Sequence, residues 1–263
     1  MKKLWLILRN VFFVLWLVGT VIPWATGVLV ASIFLRGTPL YWMCAGWLRL
    51  AVWGGCVIVG IRWRIHGLQQ LPSRPLMLLS KHQSAWETLA YPTFMPTPLS
   101  YVFKRELLFV PFFGWAMARL DMVHIDRGRT TQAWAKVARQ GRQFLDQGNW
   151  VIMFPEGTRT PRGSQGAYKT GGTRLAIQAG VPVVPIAVTS ARCWPKGGFL
   201  KYPGLIEVSI GQPIESAGRK PEELMREVEA WIEAEMRRLD PQAYGEAGQA
   251  AVPAVPPTPV AAD

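Results

Sequence analysis

The segment KHQSAWET, residues 81–88, contains a histidine followed five positions later by a glutamate. A carboxylate bound to one imidazole nitrogen fixes the tautomer of the ring, so that the other nitrogen can take a proton from a hydroxyl group. Residues five apart on one continuous helix lie about 140° out of phase and face apart. We therefore expect His82 in the turn before a helix and Glu87 in the first helical turn, where the two side chains converge.

The same segment also matches a capping box, S-x-x-E, at the start of a helix. In that interpretation Ser84 is the N-cap, Glu87 reaches back to the Ser84 amide, and His82 precedes the helix by chance. The two interpretations are compatible because a carboxylate has two oxygens. The chain lacks the G-x-S-x-G segment of many serine hydrolases. The hydroxyl that His82 activates is therefore expected to be external.

A second candidate site is the segment FPEGTRT, residues 154–160, which directly follows the apolar run WVIM. Ligands of α/β proteins bind at the carboxyl ends of strands. Gly157 allows close approach of the backbone, and Arg159 can bind a phosphate with its guanidinium fork. Glu156 could orient that arginine or bind a substrate hydroxyl. The alternative for this segment is a β-turn with a surface ion pair.

Two further basic groups stand at the ends of predicted elements. Lys104 and Arg105 follow the run LSYVF, and Lys169 precedes two glycines at the start of a predicted helix, where backbone amides favour anions. Each of them alone is more often a solvated charge. Together with Arg159 they form basic groups at successive strand ends, which predict one phosphate-bearing ligand.

The elements that must position these residues alternate between strands and helices. Short apolar or alternating runs predict strands at 61–67, 75–80, 99–104, 121–126, 150–154, 181–188 and 205–211. Longer segments predict one helix that begins near residue 85 and three more helices over residues 130–146, 170–180 and 221–239. Such alternation is typical of an α/β fold. We expect a central, mostly parallel β-sheet flanked by helices over residues 61–240.

The N-terminal part has a different composition. Half of the 263 residues are apolar, the net charge is +12, and residues 1–86 carry nine basic residues and no acidic one. Residues 11–35 hold no charge over 25 positions, long enough to cross a hydrocarbon core of about 30 Å. A basic, apolar, Trp-rich segment fits a membrane surface better than nucleic acid. We expect residues 1–60 to form an anchoring hydrophobic helical hairpin with both ends on the cytoplasmic side.

Three other features limit the interpretation. A cleaved signal peptide is disfavoured, because its apolar region normally covers about 7–15 residues and ends at a small-residue cleavage site. Cys44, Cys56 and Cys193 have no C-x-x-C spacing, so neither a zinc site nor a disulfide framework is predicted. Residues 241–263 are rich in Ala, Pro and Val, and we expect disorder there.

Four blocks, HQSAWE, FKREL, FPEGTR and VPVVPIAV, occur in this order within residues 60–210. In order and spacing they resemble the glycerolipid acyltransferases, and within that family the bacterial 1-acyl-sn-glycerol-3-phosphate (lysophosphatidate) acyltransferases. The N-terminal hairpin resembles bacterial members, in which a two-helix element embeds in the membrane. The resemblance implies an enzyme of the bacterial inner membrane, with its catalytic domain on the cytoplasmic side and with no bound cofactor or metal.

The resemblance also implies roles for the four blocks. The family's His-x4-Asp block falls on His82 and Glu87, with His82 as the base and a glutamate in place of the usual aspartate. The position before the histidine, usually Asn, is Lys81. For the fourth block, residues 184–186, the resemblance implies either binding of the acyl donor or a structural role. Contacts to the acceptor are implied for Lys104, Arg105, Glu106, Glu156, Gly157, Thr158 and Arg159.

The implied reaction moves an acyl chain from acyl-CoA or acyl-carrier protein to the sn-2 hydroxyl of 1-acyl-glycerol-3-phosphate, giving phosphatidate in phospholipid biosynthesis. Three alternatives stay open. The chain could acylate another lyso-lipid such as a lyso-ornithine lipid, bind membranes without catalysis, or hydrolyse lipids with water. The intact pairs His82–Glu87 and Glu156–Arg159 argue against the silent membrane-binding protein.

Overall fold

A pair of apolar helices precedes the rest of the chain in the computed structural model, which describes residues 2–125 and 130–245. Helix α1 (Lys2–Ala31) packs on α2 (Thr38–Gly54), which continues as a π-helical turn over Gly55–Val59. Both helices are long and apolar enough to cross a membrane, and only 17% and 39% of their most hydrophobic windows are buried. A soluble core helix would bury its apolar surface, so this exposure fits helices that meet lipid.

The described part of the remaining chain is built on a seven-stranded sheet. The strands are β1 (Ile61–His66), β2 (Met77–Ser80), β3 (Leu99–Lys104), β4 (Val123–Ile125), β5 (Trp150–Met153), β6 (Val183–Val188) and β7 (Gly204–Ile210). Their spatial order is β1, β7, β6, β2, β5, β3, β4, and the neighbours are parallel except β6 and β7. The strands β6, β2, β5 and β3 therefore end side by side at one edge.

Helices cover both faces of the sheet. They are α3 (Trp86–Phe94), α4 (Phe113–Met117), α5 (Thr130–Asp146), α6 (Gly171–Ala179), α7 (Pro221–Leu239) and α8 (Pro241–Tyr244). Because successive side chains of a strand point to opposite faces, the central strands feed two apolar layers. Leu78 and Ile152 pack in the layer that includes α2 and α3, whereas Leu79 and Val151 pack in the layer that includes α6 and α7. Strands covered on both faces are apolar throughout, as in WVIM.

A buried asparagine joins the hairpin to the sheet domain. Asn10 is fully buried in the apolar helix α1. Its side-chain oxygen accepts the Lys201 N–H at 2.7 Å, and its amide donates to the Lys201 carbonyl at 2.9 Å. Since a buried amide without partners is costly, this pair fixes α1 against the loop that follows β6.

The predicted fold class, a mostly parallel sheet flanked by helices with an N-terminal hydrophobic hairpin, is confirmed. Some details differ. The strand predicted at 121–126 covers only Val123–Ile125 in the described residues, and the turn Arg105–Phe109 and helix α4 were not predicted. The segment 241–263 begins with the short helix α8, and its residues 246–263 lie outside the described part of the chain. The domain boundaries themselves stay a prediction.

Candidate active site

His82 and Glu87 meet in the turn between β2 and α3. His82 Nδ1 lies 3.0 Å from Glu87 Oε1. The imidazole borders a cavity, whereas the carboxylate is fully buried behind it. When Nδ1 carries the proton and donates to the carboxylate, Nε2 is unprotonated, and its lone pair can accept a proton from a hydroxyl group. The pair is therefore built as a base with its orienting group.

Glu87 is held as an ionised group by four donors. Oε1 also accepts the N–H groups of Gln83 and Ser84, each at 2.7 Å, and Oε2 accepts the Ser84 hydroxyl at 2.8 Å. Burial by itself would raise the pKa of Glu87, but the hydrogen bond and charge of His82 and the Ser84 N–H outweigh it, so that the pKa lies below its ordinary value. The carboxylate can therefore stabilise an imidazolium throughout the neutral range.

The capping box forms in part. Glu87 reaches back to the Ser84 amide as the motif predicts. The Ser84 hydroxyl accepts the N–H of Trp86 at 2.8 Å instead of that of Glu87, and α3 has Ala85 at its N-cap. The same turn that starts the helix thus brings Glu87 round to His82.

The segment that follows β5 fixes the position of His82. The Phe154 ring stacks on the imidazole, with centroids 3.9 Å apart and planes 18° from parallel. Thr160 donates to the His82 carbonyl from its N–H at 2.8 Å and from its hydroxyl at 3.1 Å. The His82 N–H donates to Glu156 Oε2 at 3.1 Å. The second sequence block therefore holds both the ring and the backbone of the first.

Glu156 does not line the cavity, contrary to the expectation that it binds substrate or orients Arg159. Its side chain is fully buried, and Oε1 accepts Lys81 Nζ at 2.8 Å and the Gly166 N–H at 3.0 Å. Both carboxylate oxygens are thus taken by protein donors. Its geometry is that of a support for the His82 backbone.

The cavity beside His82 has a volume of about 870 Å³ and extends between the hairpin and the sheet domain. Its inner wall is apolar and is formed by α1, α2 and α4, with Val28, Ala45 and Ala116 among its residues. Among the described residues, its wall contains no Asp or Glu. Apolar cavities with a few convergent polar groups are typical ligand sites. This one is large and apolar enough for a hydrocarbon chain.

Cations gather where the cavity meets the carboxyl edge of the sheet. The cavity wall includes Lys104 at the end of β3, Arg159 and Lys169 after β5, and Lys196 after β6. Lys196 Nζ donates to the Arg159 carbonyl at 2.6 Å, so the two loops touch. With no carboxylate in the described wall to neutralise them, these charges create a field that attracts an anion.

Gly157 and Thr158, for which the sequence block implies contacts to the acceptor, also line the cavity. Gly157 has a φ of +67°, in the left-handed region that favours glycine. A Cβ at this position would lie 3.3 Å from Lys169 Nζ. Glycine therefore allows the turn that carries Arg159 to come close to Lys169.

Arg105 does not line the cavity. It is exposed at the start of the Arg105–Phe109 turn and is not part of the wall, unlike its neighbour Lys104. Burial, together with the charges of Arg105 and Arg139, lowers the pKa of Lys136 on α5. The turn thus brings Arg105 beside α5, and the predicted contact of Arg105 with the substrate is not part of this geometry.

Two functional features were missed at the sequence level. Lys196 lies 37 positions from the Arg159 carbonyl that it binds, and no spacing pattern connects them. The buried contacts of Lys81 with Glu156 and Glu233 join residues 75 and 152 positions apart. A lysine directly before a candidate catalytic histidine was a signal for the second feature.

Comparisons with known proteins agree with this geometry. A family model described as "Acyltransferase" matches residues 62–189. A Pseudomonas aeruginosa protein named 1-acyl-sn-glycerol-3-phosphate acyltransferase is 43% identical over 238 residues, covering 89% of this chain and 92% of that protein. The mouse 1-acyl-sn-glycerol-3-phosphate acyltransferase alpha is 32% identical and covers 67% of this chain, which spans 63% of the mouse protein.

A solved structure has the same fold. The crystal structure of the 1-acyl-sn-glycerophosphate acyltransferase from Thermotoga maritima superposes with a TM-score of 0.78 at 23% identity, covering 91% of this chain and 98% of that chain. The resemblance seen in the four sequence blocks is confirmed by the Pseudomonas relative. The chain therefore belongs to the acyltransferase family, a family of enzymes.

Proposed function

We propose that this enzyme transfers an acyl chain from a thioester to the sn-2 hydroxyl of 1-acyl-glycerol-3-phosphate, giving phosphatidate. The observation that carries the proposal is one cavity that joins a His82–Glu87 pair, a cationic rim and an apolar interior. Lysophosphatidate has the matching parts, namely a phosphate for the rim, a free hydroxyl for the base and an acyl chain for the apolar interior. The activity named for the Pseudomonas relative supports the same acceptor.

In the proposed mechanism His82 Nε2 takes the proton of the sn-2 hydroxyl while the hydroxyl oxygen attacks the thioester carbonyl. The new C–O bond forms, the C–S bond then breaks, and the imidazolium returns the proton to the leaving thiolate. Glu87 stabilises the imidazolium between these two events and keeps Nδ1 protonated. No covalent enzyme intermediate is required, because both substrates react within one complex.

The cationic rim would bind the acceptor phosphate. Arg159 is half-buried at the cavity and makes no ion pair with a carboxylate in residues 2–125 and 130–245. Its guanidinium can therefore offer two donors to a phosphate, with Lys104, Lys169 and Lys196 adding charge. A phosphate held there would leave the glycerol between the rim and His82. The acyl chain would extend into the apolar interior.

The acyl donor is acyl-CoA or acyl-carrier protein, both of which present a thioester on a phosphopantetheine arm. We assign the enzyme to the bacterial inner membrane with the sheet domain in the cytoplasm. Basic residues at both ends of the hairpin, Lys2, Lys3 and Arg9 at one and Arg62 and Arg64 at the other, support this orientation. No bound cofactor or metal is needed, because an imidazole supplies the base and the thioester is already activated.

The test is an acceptor and donor panel with the purified protein in detergent. Labelled acyl-CoA or acyl-carrier protein is offered with lysophosphatidate or with lyso-ornithine lipid, and the products are identified by lipid mass spectrometry. Phosphatidate should be the main product. Acylation of lyso-ornithine lipid alone, release of free fatty acid alone, or lipid binding without product would each contradict the proposal.

A further inference from the structure

Lys81 is a fully buried lysine beside the candidate base. Its side chain has 0% exposure. Among the buried polar residues of the described chain, Lys81 is the only lysine or arginine. Removing an ammonium group from water is unfavourable unless all of its donors are paired. A lysine is therefore retained at this position against a substantial desolvation penalty, which requires a reason.

The three donors of Lys81 are all satisfied, by three separate parts of the fold. Nζ donates to Glu156 Oε1 at 2.8 Å, to Glu233 Oε1 at 2.7 Å and to the Ser164 carbonyl at 3.1 Å. Glu156 follows β5, Ser164 lies in the next loop, and Glu233 is on α7. One ammonium group thus joins the turn that holds His82, the segment after β5 that contains Glu156 and Arg159, and helix α7.

This contact leads directly to the backbone of His82. While Oε1 of Glu156 receives Lys81, Oε2 accepts the His82 N–H at 3.1 Å. A carboxylate that is fixed at one oxygen cannot rotate freely at the other. Lys81, together with the Gly166 N–H that donates to the same oxygen at 3.0 Å, therefore orients the carboxylate that holds the His82 backbone.

The network also extends toward the cationic rim. Glu233 Oε1 accepts the Tyr168 hydroxyl at 2.8 Å, and the Tyr168 ring lies 5.9 Å from Lys81 Nζ. Tyr168 directly precedes Lys169, which lines the cavity. Both the base and one phosphate-binding cation are thus connected to the same buried ammonium group.

We propose that Lys81 is a positioning residue for acyl transfer, which acts through Glu156 on His82 and needs Glu233 as its second counter-charge. This inference rests on the proposed role of His82 as the base. Lys81 touches neither substrate. Its effect is to keep His82 Nε2 at the place where the acceptor hydroxyl arrives, and a displacement of about 1 Å in such a site can cost a factor of about 10² in rate.

The test compares Lys81→Met with the double variant Lys81→Met/Glu233→Gln. The single variant leaves two buried carboxylates facing each other without the cation between them. The double variant removes one of these two charges. Arg162→Met is the matched control, because Arg162 binds the buried Asp240 through two bonds of 2.7 Å but has no hydrogen bond to His82 and is not part of the cavity wall.

For each protein, kcat, KM and the pH profile are measured well below its Tm. Lys81→Met should lower kcat about 10²-fold with little change in KM, and its activity should fall further relative to wild type as the pH rises, since the facing carboxylates then ionise. The double variant should recover about tenfold in kcat and regain the wild-type pH profile. Arg162→Met should lower Tm without changing kcat or the profile.

Two results would overturn the inference. One is a folded Lys81→Met protein with wild-type kcat and pH profile. The other is a loss of kcat for which the double variant recovers neither the rate nor the wild-type pH profile, which would assign Lys81 a purely structural role. If Lys81→Met does not fold, the double variant is compared with wild type: the inference predicts a kcat about tenfold lower with the wild-type pH profile, and a wild-type kcat would overturn it. Absence of acyl transfer by the wild-type enzyme would instead contradict the proposed function, so failure of the proposed function is distinguished from failure of the inference about Lys81.

Discussion

Replacing Glu87 by glutamine tests how much of the rate depends on the charge beside His82. The amide is nearly isosteric and keeps an oxygen for the N–H groups of Gln83 and Ser84, which donate to Oε1 at 2.7 Å. The tautomer of His82 is therefore preserved, because the same oxygen can still accept Nδ1–H. The substitution removes the negative charge that faces the imidazolium, and at the Oε2 position it places an NH2 group, toward which the Ser84 hydroxyl must turn its oxygen as an acceptor.

The size of the effect follows from the 3.0 Å distance between His82 Nδ1 and Glu87 Oε1. Two unit charges at this separation interact by about 5.5 kcal/mol at an effective dielectric constant of about 20. That energy corresponds to a factor of about 10⁴ in rate, which is the upper limit of the loss. The amide dipole retains part of the interaction, so we expect kcat to fall about 10²- to 10⁴-fold. Because Glu87 is buried outside the cavity wall, KM should change little.

The assay is steady-state acyl transfer from acyl-CoA to lysophosphatidate in detergent micelles. A matched control is Glu207→Gln, which breaks the surface pair of His66 Nε2 and Glu207 Oε2 at 2.8 Å. The control should keep the wild-type kcat. A Glu87→Gln enzyme with kcat within about threefold of wild type would refute the charge argument, and an equal loss in the control would show that the effect is not local.

Three further outcomes follow from the same geometry. Arg159→Gln should raise the KM for lysophosphatidate about 10- to 100-fold, as loss of a charged hydrogen bond does, and should leave the KM of a neutral lyso-lipid unchanged in a paired assay. Ala45→Phe narrows the apolar interior of the cavity, so competition among lysophosphatidates of different chain length should shift toward shorter chains. Because the pKa of Glu87 is lower in the folded state than its ordinary value of 4.5, ionised Glu87 stabilises the folded state at a pH above 4.5. This stabilisation is lost as the pH falls through the pKa that Glu87 has in the folded state. The Tm difference between wild type and Glu87→Gln, measured by scanning fluorimetry, should therefore be full near neutral pH and shrink below about pH 4.5.

The parts of the site that the sequence predicts are local. His82 and Glu87 are close in the chain, and the S-x-x-E segment that starts α3 also turns the carboxylate toward the imidazole. The sheet was predictable for a similar reason, since each strand has its own apolar run. The convergence of Lys104, Arg159 and Lys169 follows from the parallel order, because the ends of β3 and β5 meet at one edge.

The parts that the sequence did not predict depend on distant contacts. Glu156 lies in the predicted block, but its carboxylate binds Lys81, which is 75 positions away and is also bound by Glu233 on α7. Arg105 follows β3 as predicted, yet its exposed side chain does not line the cavity, unlike that of Lys104. The cavity exists only because α1, α2 and α4 pack together, and no segment taken alone contains that information.

The most direct test of the account is single-turnover acyl transfer to lysophosphatidate by His82→Ala, with His66→Ala as the control on the exposed edge of β1. The proposed base role predicts that His82→Ala lowers the rate of phosphatidate formation at least about 10²-fold, while His66→Ala keeps the wild-type rate. Formation of phosphatidate by His82→Ala at a rate close to wild type would contradict the assignment of His82 as the base.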